Sequence, residues 1–165
     1  REIVEAAGVT KPVLYYYFGS KEGLFTHILE SMFDPFLSGL NVACHWEKGP
    51  FRDRLKAIAD LHIQTAKDYP GRVRFIHGIA YSALYDHLFD FRGNWMKAFN
   101  LITRLFEAGQ KKRVIRRDIS PQALAGNFIG MAHAAMRGIA YCPTLLEEVP
   151  DSKDIVEIIM KGIGK

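Results

Sequence analysis

The sequence predicts an all-α protein, and three observations predict it. Apolar residues recur at three- and four-residue spacing in most segments, helix-capping residues stand in front of them, and no segment shows the apolar–polar alternation of a half-buried strand. At 165 residues, 48% hydrophobic and 24% charged, the chain is long enough for one domain and a small appendage. The net charge of +4 permits a nucleic-acid partner without arguing for one.

The first element runs from Arg1 to Ala7 and offers Ile3, Val4 and Ala7 to the next helix. Gly8 can end it in the left-handed conformation without a Cβ penalty. Thr10 then stands as N-cap and Pro12 falls in the first turn of a helix of about eight residues, which Gly19 stops. Leu14 and Phe18, four apart, can face a core together. That leaves Lys11, Pro12, Val13, Tyr15, Tyr16 and Tyr17 on other faces, which is costly unless something binds them. Two lysines and no acid lie between Thr10 and Lys21, so this short helix suits phosphates and base edges in a major groove.

Ser20 caps the next helix, whose stripe of Leu24, Phe25, Ile28, Leu29, Met32 and Phe33 should kink or end at Pro35. A second piece through Phe36, Leu37 and Leu40 should reach a loop around residues 46–50. From Phe51 to Tyr69, Leu55, Ile58, Ala59, His62, Ala66 and Tyr69 share an apolar face, and Pro70-Gly71 closes the helix. A helix from Val73 to Leu88 follows, with Val73, Ile76, Ala80, Ala83 and Leu84 inward. Phe91, Trp95, Phe99, Ile102 and Phe106 stripe the next, which Gly109 stops. The five cations of Gln110–Arg117 read as a solvated turn, since no aromatics are interleaved with them.

Ser120 and Pro121 open a helix to Tyr141 in which Gly126, Gly130, Ala134 and Gly138 recur every four residues. Such a strip can pack membrane helices, but Asn127, His133 and Arg137 within the span oppose that reading. Asp151 caps the last helix, where Ile155, Ile158 and Ile159 are unusually apolar for a terminal element. Two such helices in succession imply a partner chain.

The run REIVEAAGVTKPVLYYYFGSKEGLF resembles the helix-turn-helix of the TetR family of bacterial repressors, and the chain would begin inside the second helix of that unit. The resemblance implies a DNA-binding unit over residues 1–24 and an effector-binding and dimerisation domain over residues 25–165. It implies that Lys11, Pro12, Val13 and Tyr16 meet bases while Thr10, Tyr15, Tyr17 and Lys21 hold phosphates. The partners it implies are double-stranded DNA with a palindromic operator, a second copy of the chain and a small-molecule effector. Dimerisation would proceed through the last two helices, with Gly126, Gly130, Ala134, Gly138, Ile155, Ile158 and Ile159 at the interface. The middle helices would enclose the effector. There His62, His77, Tyr81, Tyr85, Trp95, Phe99, Asn127 and His133 combine aromatic bodies with polar tips. For His62, a core imidazole bonded to a neighbour remains the alternative.

Catalysis finds little support. G-x-S-x-G, H-E-x-x-H and a phosphate-binding loop are lacking, and the match of Tyr17 and Lys21 to Y-x-x-x-K has no glycine-rich nucleotide turn beside it. No two of the six histidines stand at helical i,i+3 or i,i+4 spacing, so neither a metal nor another cofactor is expected. Cys44 and Cys142 lack C-x-x-C spacing, which together with the absence of a visible signal peptide points to the reducing cytoplasm. The expected function is a ligand-released transcriptional repressor. The alternative is a helical small-molecule-binding protein without DNA function.

Overall fold

The computed structural model describes residues 2–45, 49–80, 82, 85, 87–142, 144 and 149–163. These residues form α1 Glu2–Ala6, α2 Lys11–Phe18, α3 Lys21–His45, α4 Phe51–Asp68, α5 Pro70–Ala80, α6 Phe91–Lys111, α7 Pro121–Tyr141 and α8 Ser152–Ile163, with no strand among them. The chain is all-α, as its periodicity predicts. No helix among the described residues is long and apolar enough to cross a membrane.

At the N-terminus, Gly8 and Gly19 turn the chain with φ of 65° and 73°, a region that side chains with a Cβ rarely enter. Ser20 accepts a hydrogen bond from the Gly23 amide at 2.9 Å and so caps α3. Thr10 occupies the N-cap position of α2, but its hydroxyl makes no capping bond. The packing expected of Ile3 and Ala7 is not made. Ile3 is 54% exposed and Ala7 is also exposed, because α1 is short and α2 turns its two apolar residues toward α3 instead.

The break expected at Pro35 does not occur. α3 continues through it for 25 residues. Pro35 and Ser31 both lie exposed, so the Ser31 carbonyl that loses its helical donor can turn to water. The boundary expected between residues 24 and 25 falls inside this continuous helix. Residues 46–48 of the expected loop lie outside the described residues.

Two further boundaries differ from expectation. Pro70-Gly71 opens α5 instead of forming a loop, since Pro70 takes the first helical position, where no N–H is required. α5 then ends at Ala80, which is exposed, and the chain turns through residues 87–90 instead of continuing as helix to Leu88. The Leu88 carbonyl accepts from Thr26 Oγ1 at 3.1 Å, and buried Phe89 packs with Phe33 of α3. These contacts draw the segment across α3. Ala83 and Leu84 lie outside the described residues. Asp90 then caps α6 by accepting from the Gly93 amide at 2.7 Å.

The main core joins the C-terminal half of α3 to α4, α6, α7 and α8, with Leu40, Leu55, Ile58, Phe106, Phe128 and Ile155 at its centre. A smaller aromatic core of Leu29, Phe89 and Phe91, flanked by Phe25, Phe33 and Tyr85, fixes the N-terminal half of α3. Tyr69 at the end of α4 is 48% exposed, although the rest of its expected face is buried.

Gly109 does not stop α6, which runs on to Lys111 and turns at Arg113 with φ 59°. It is buried because Phe51 and Ile115 close over it. A Cβ there would sit 2.8 Å from Phe51 Cε2 and 3.2 Å from Ile115 Cδ1. Gly109→Ala should therefore destabilise the chain by about 1–3 kcal/mol through overpacking. Gly78→Ala, with nothing within 4 Å of the added carbon, should be neutral or stabilising. Thermal unfolding of the two variants checks the pair, and equal melting temperatures would refute the packing role of Gly109.

Candidate functional site

Among the described residues, α2 presents the most exposed aromatic surface. Leu14 and Phe18 are half-buried against α3, Phe18 lying 5.3 Å from the His27 ring. The rest of the helix faces out: Tyr16 is 84% exposed, Tyr17 73%, Tyr15 49% and Val13 41%. Thr10, Lys11, Pro12 and Lys21 are exposed with them. All eight sequence-predicted contact residues are therefore exposed. Tyr16 stands opposite the Leu14–Phe18 side of the helix, as the 3.6-residue period requires.

A second open surface runs along α7. Gly126, Gly130 and Ala134 are exposed, and a Cβ on Gly130 would meet nothing within 4 Å. Gly138 departs from the expected strip, because Val149 of the same chain would lie 2.8 Å from its added Cβ. Ile155 and Ile159 are buried in the chain's own core at 1% and 7% exposure, while Ile158 is 57% exposed. The first two therefore serve α8 packing, and only Ile158 of the three faces outward. The period of α8 places the pair and Ile158 on opposite sides.

The candidate effector residues divide. His62 of α4, His77 of α5 and His133 of α7 come together, with ring centroids 5.4 Å apart for His62–His133 and 6.4 Å for His77–His133. Phe36 packs edge-on to His62 at 4.9 Å, and Tyr141 stacks on His77 at 6.2 Å. Trp95 and Phe99 stack on each other along α6 at 5.2 Å, with Trp95 49% exposed. Tyr85 belongs to the smaller aromatic core beside Phe25, and Asn127 is exposed, its amide bonded to the Ala123 carbonyl. These two do not join the histidines, because the turn after α5 carries Tyr85 to α3 and the helical period turns Asn127 outward. Tyr81 lies outside the described residues.

Two grooves are absent from the sequence-based expectations. One, of about 640 Å³, is lined by Val42, Ala43, Asp60, Leu61, Gln64 and Lys67 among others of α3, α4 and the start of α8. The other, of about 360 Å³, lies between α3 and α6 beside Leu37 and Arg104. Both arise where helices distant in sequence cross, so no local signal could have found them. Among the described residues, no three His, Cys, Asp or Glu are placed to share a metal ion.

The histidine cluster has a consequence for stability. His62 is buried, its Nδ1 2.7 Å from the Ile58 carbonyl, and burial pushes its pKa below the ordinary value. Burial also lowers His77, helped by Arg137. His133 is pushed from 6.5 down to about 4, first by burial and then by His62, His77 and Arg137. Groups that titrate lower when folded leave the unfolded chain to bind protons first as pH falls. Their stabilisation is complete above pH 6.5 and is lost toward pH 4. Urea unfolding at pH 7 and pH 5 should show a loss of about 2 kcal/mol from His133 alone. His133→Gln should flatten that slope, and an unchanged slope would refute the assignment.

Residues 1–28 match the profile of the bacterial regulatory proteins of the tetR family. The nucleoid occlusion factor SlmA of Idiomarina loihiensis is 29% identical over 125 residues, covering 74% of this chain and 62% of that protein. The chain thus spans less than two thirds of the length of that curated relative. A TetR/AcrR-family transcriptional regulator from Thermobifida fusca shares the fold with a TM-score of 0.68 at 23% identity, over 96% of this chain and 81% of that one. SmeT, solved as a triclosan complex, gives 0.74 at 17% identity over 99% and 80%. A tetR-type motif at the N-terminus, closed by an outward-facing helix, continues into a helical core whose fold these solved regulators share.

Proposed function

We propose that the chain is a sequence-specific DNA-binding transcriptional regulator working in the cytoplasm as a homodimeric repressor, released from a palindromic operator by a small-molecule effector. The open face of α2 carries this reading. Five exposed aromatic or β-branched side chains and lysines stand there without a core to cover them, as a helix seated in a major groove requires. Lys11, Pro12, Val13 and Tyr16 read bases. Thr10, whose hydroxyl its own helix does not use, holds phosphate with Tyr15, Tyr17 and Lys21. α3 spans roughly 37 Å at 1.5 Å per residue, from the DNA-contacting end into the main core. An effector that favours one setting of α3 therefore shifts the spacing of the two recognition helices. The solved complex of SmeT with triclosan supports a small-molecule effector for this fold.

Binding of the full-length protein to sites selected from random oligonucleotides tests the DNA assignment. Lys21→Ala should weaken all sites alike and lower the slope of log K against log salt by about one. Tyr16→Ala should relax preference at one base position. Selected sites bound equally well by both variants would reject this surface.

The dimer reading rests on the α7 strip, where Gly126, Gly130 and Ala134 bare the backbone beside exposed Ile158. A bare strip gains nothing in water unless another backbone approaches it. Gly130→Leu has room within its own chain, so it should leave the fold stable while holding a partner helix away. Sedimentation combined with thermal unfolding should find a folded monomer. A stable dimer of the variant moves the interface elsewhere, and a wild-type monomer at micromolar concentration rejects the palindromic operator as well.

A further inference from the structure

The crossing of α4, α5 and α7 gathers basic groups. From α4 it receives His62, from α5 Arg74 and His77, from α7 His133, Arg137 and Tyr141, and from α3 the apolar Phe36. The Arg74 guanidinium donates to the Ala140 carbonyl at 2.6 Å, and the Tyr141 hydroxyl donates to the Arg74 carbonyl at 3.3 Å, which pins α5 to the end of α7. Arg137 is exposed beside His77 and His133 and makes no ion pair among the described residues. His77 Nδ1 is buried without a hydrogen-bond partner. Among the described residues, no carboxylate acts on any of the three histidines.

We infer that this crossing binds the carboxylate of an organic acid, held between His77 and Arg137 with Tyr141 as an aromatic wall. The inference deepens the effector reading and rests on it for its regulatory meaning. A guanidinium and an imidazole with a spare nitrogen present donors to one anion, and a bidentate carboxylate matches the arginine. The Phe36 and Tyr141 rings favour a ligand with a hydrocarbon body over inorganic phosphate. A bound carboxylate supplies the counter-charge that the cluster lacks, so His77 or His133 takes up a proton as the acid binds.

Calorimetry on the full-length protein with benzoate and hexanoate, against benzamide and hexanamide, tests this. The acids should bind at least tenfold more tightly than their amides and more tightly at pH 6 than at pH 8. Titration in two buffers of different ionisation enthalpy should show net proton uptake. His77→Gln and Arg137→Gln should each cost about tenfold in acid affinity while the unliganded melting temperature and dimer are kept. Acids no better than amides, pH-independent binding, or no binding at all would overturn the inference. So would an Arg137→Gln protein that keeps its acid affinity but loses its dimer, since the arginine would then serve the partner chain. The effector reading is separable. Amide-driven DNA release would preserve it while the carboxylate inference falls, whereas acid binding that leaves DNA affinity unchanged would sink it alone.

Discussion

The rest of the structure depends on the burial of α7. Its inner side carries Leu124, Phe128, Ala132, Ala135 and Ile139, and it is walled by α4, α5, α6 and α8. Phe128 meets Phe106 of α6 at 6.1 Å, and Phe106 meets Phe51 of α4 at 5.6 Å, so one aromatic chain ties three helices. Each of these rings removes a large apolar surface from water, at about 25 cal/mol per Å². Gly109 takes part in the same packing, because the edge of Phe51 occupies the place of its missing Cβ. With α7 covered on its inner side, Gly126, Gly130 and Ala134 stay exposed on its outer side.

α3 links the two ends of the molecule through two separate cores. Its far half, at Leu40 and Cys44, is part of the main core, where burial raises the Cys44 thiol to about 12 and keeps it unreactive. Its near half is held by Phe25 and Phe33 against the turn that follows α5, with the Thr26–Leu88 hydrogen bond alongside. That turn interrupts what the pattern alone reads as one helix. A change at α5 therefore has a short mechanical route to α3, and α3 carries α2.

Polar groups in the core divide by whether they are satisfied locally. His62 satisfies one nitrogen within its own helix, which is the behaviour of a core imidazole. His77 leaves Nδ1 without a partner, and its ring lies parallel to Tyr141 beside Arg137, which makes no ion pair among the described residues. The same residue type thus fills two roles on consecutive helices, α4 and α5. Surface pairs such as Lys56–Asp60 and Lys161–Glu157 are exposed i,i+4 contacts and add little to stability.

Local chemistry by itself determined the helical class, the caps at Ser20, Ser120 and Asp151, and the outward faces of α2 and of Gly126–Ala134, because each follows from spacing or from a side chain reaching its own turn. The exposure of the residues on α2 was legible for the same reason: a helix of eight residues can bury only one side, and Leu14 and Phe18 claim it. Only the tertiary structure decided where α5 ends, at Ala80, whether Gly109 stops α6, and whether Pro35 interrupts a helix that is supported on both sides. It also turned Ile155 and Ile159 into the chain's own core and brought His62, His77 and His133 together from three helices while sending Tyr85 and Asn127 elsewhere. Periodicity states which side of a helix is apolar; which helix covers that side depends on contacts between residues far apart in the chain, and no local pattern encodes them.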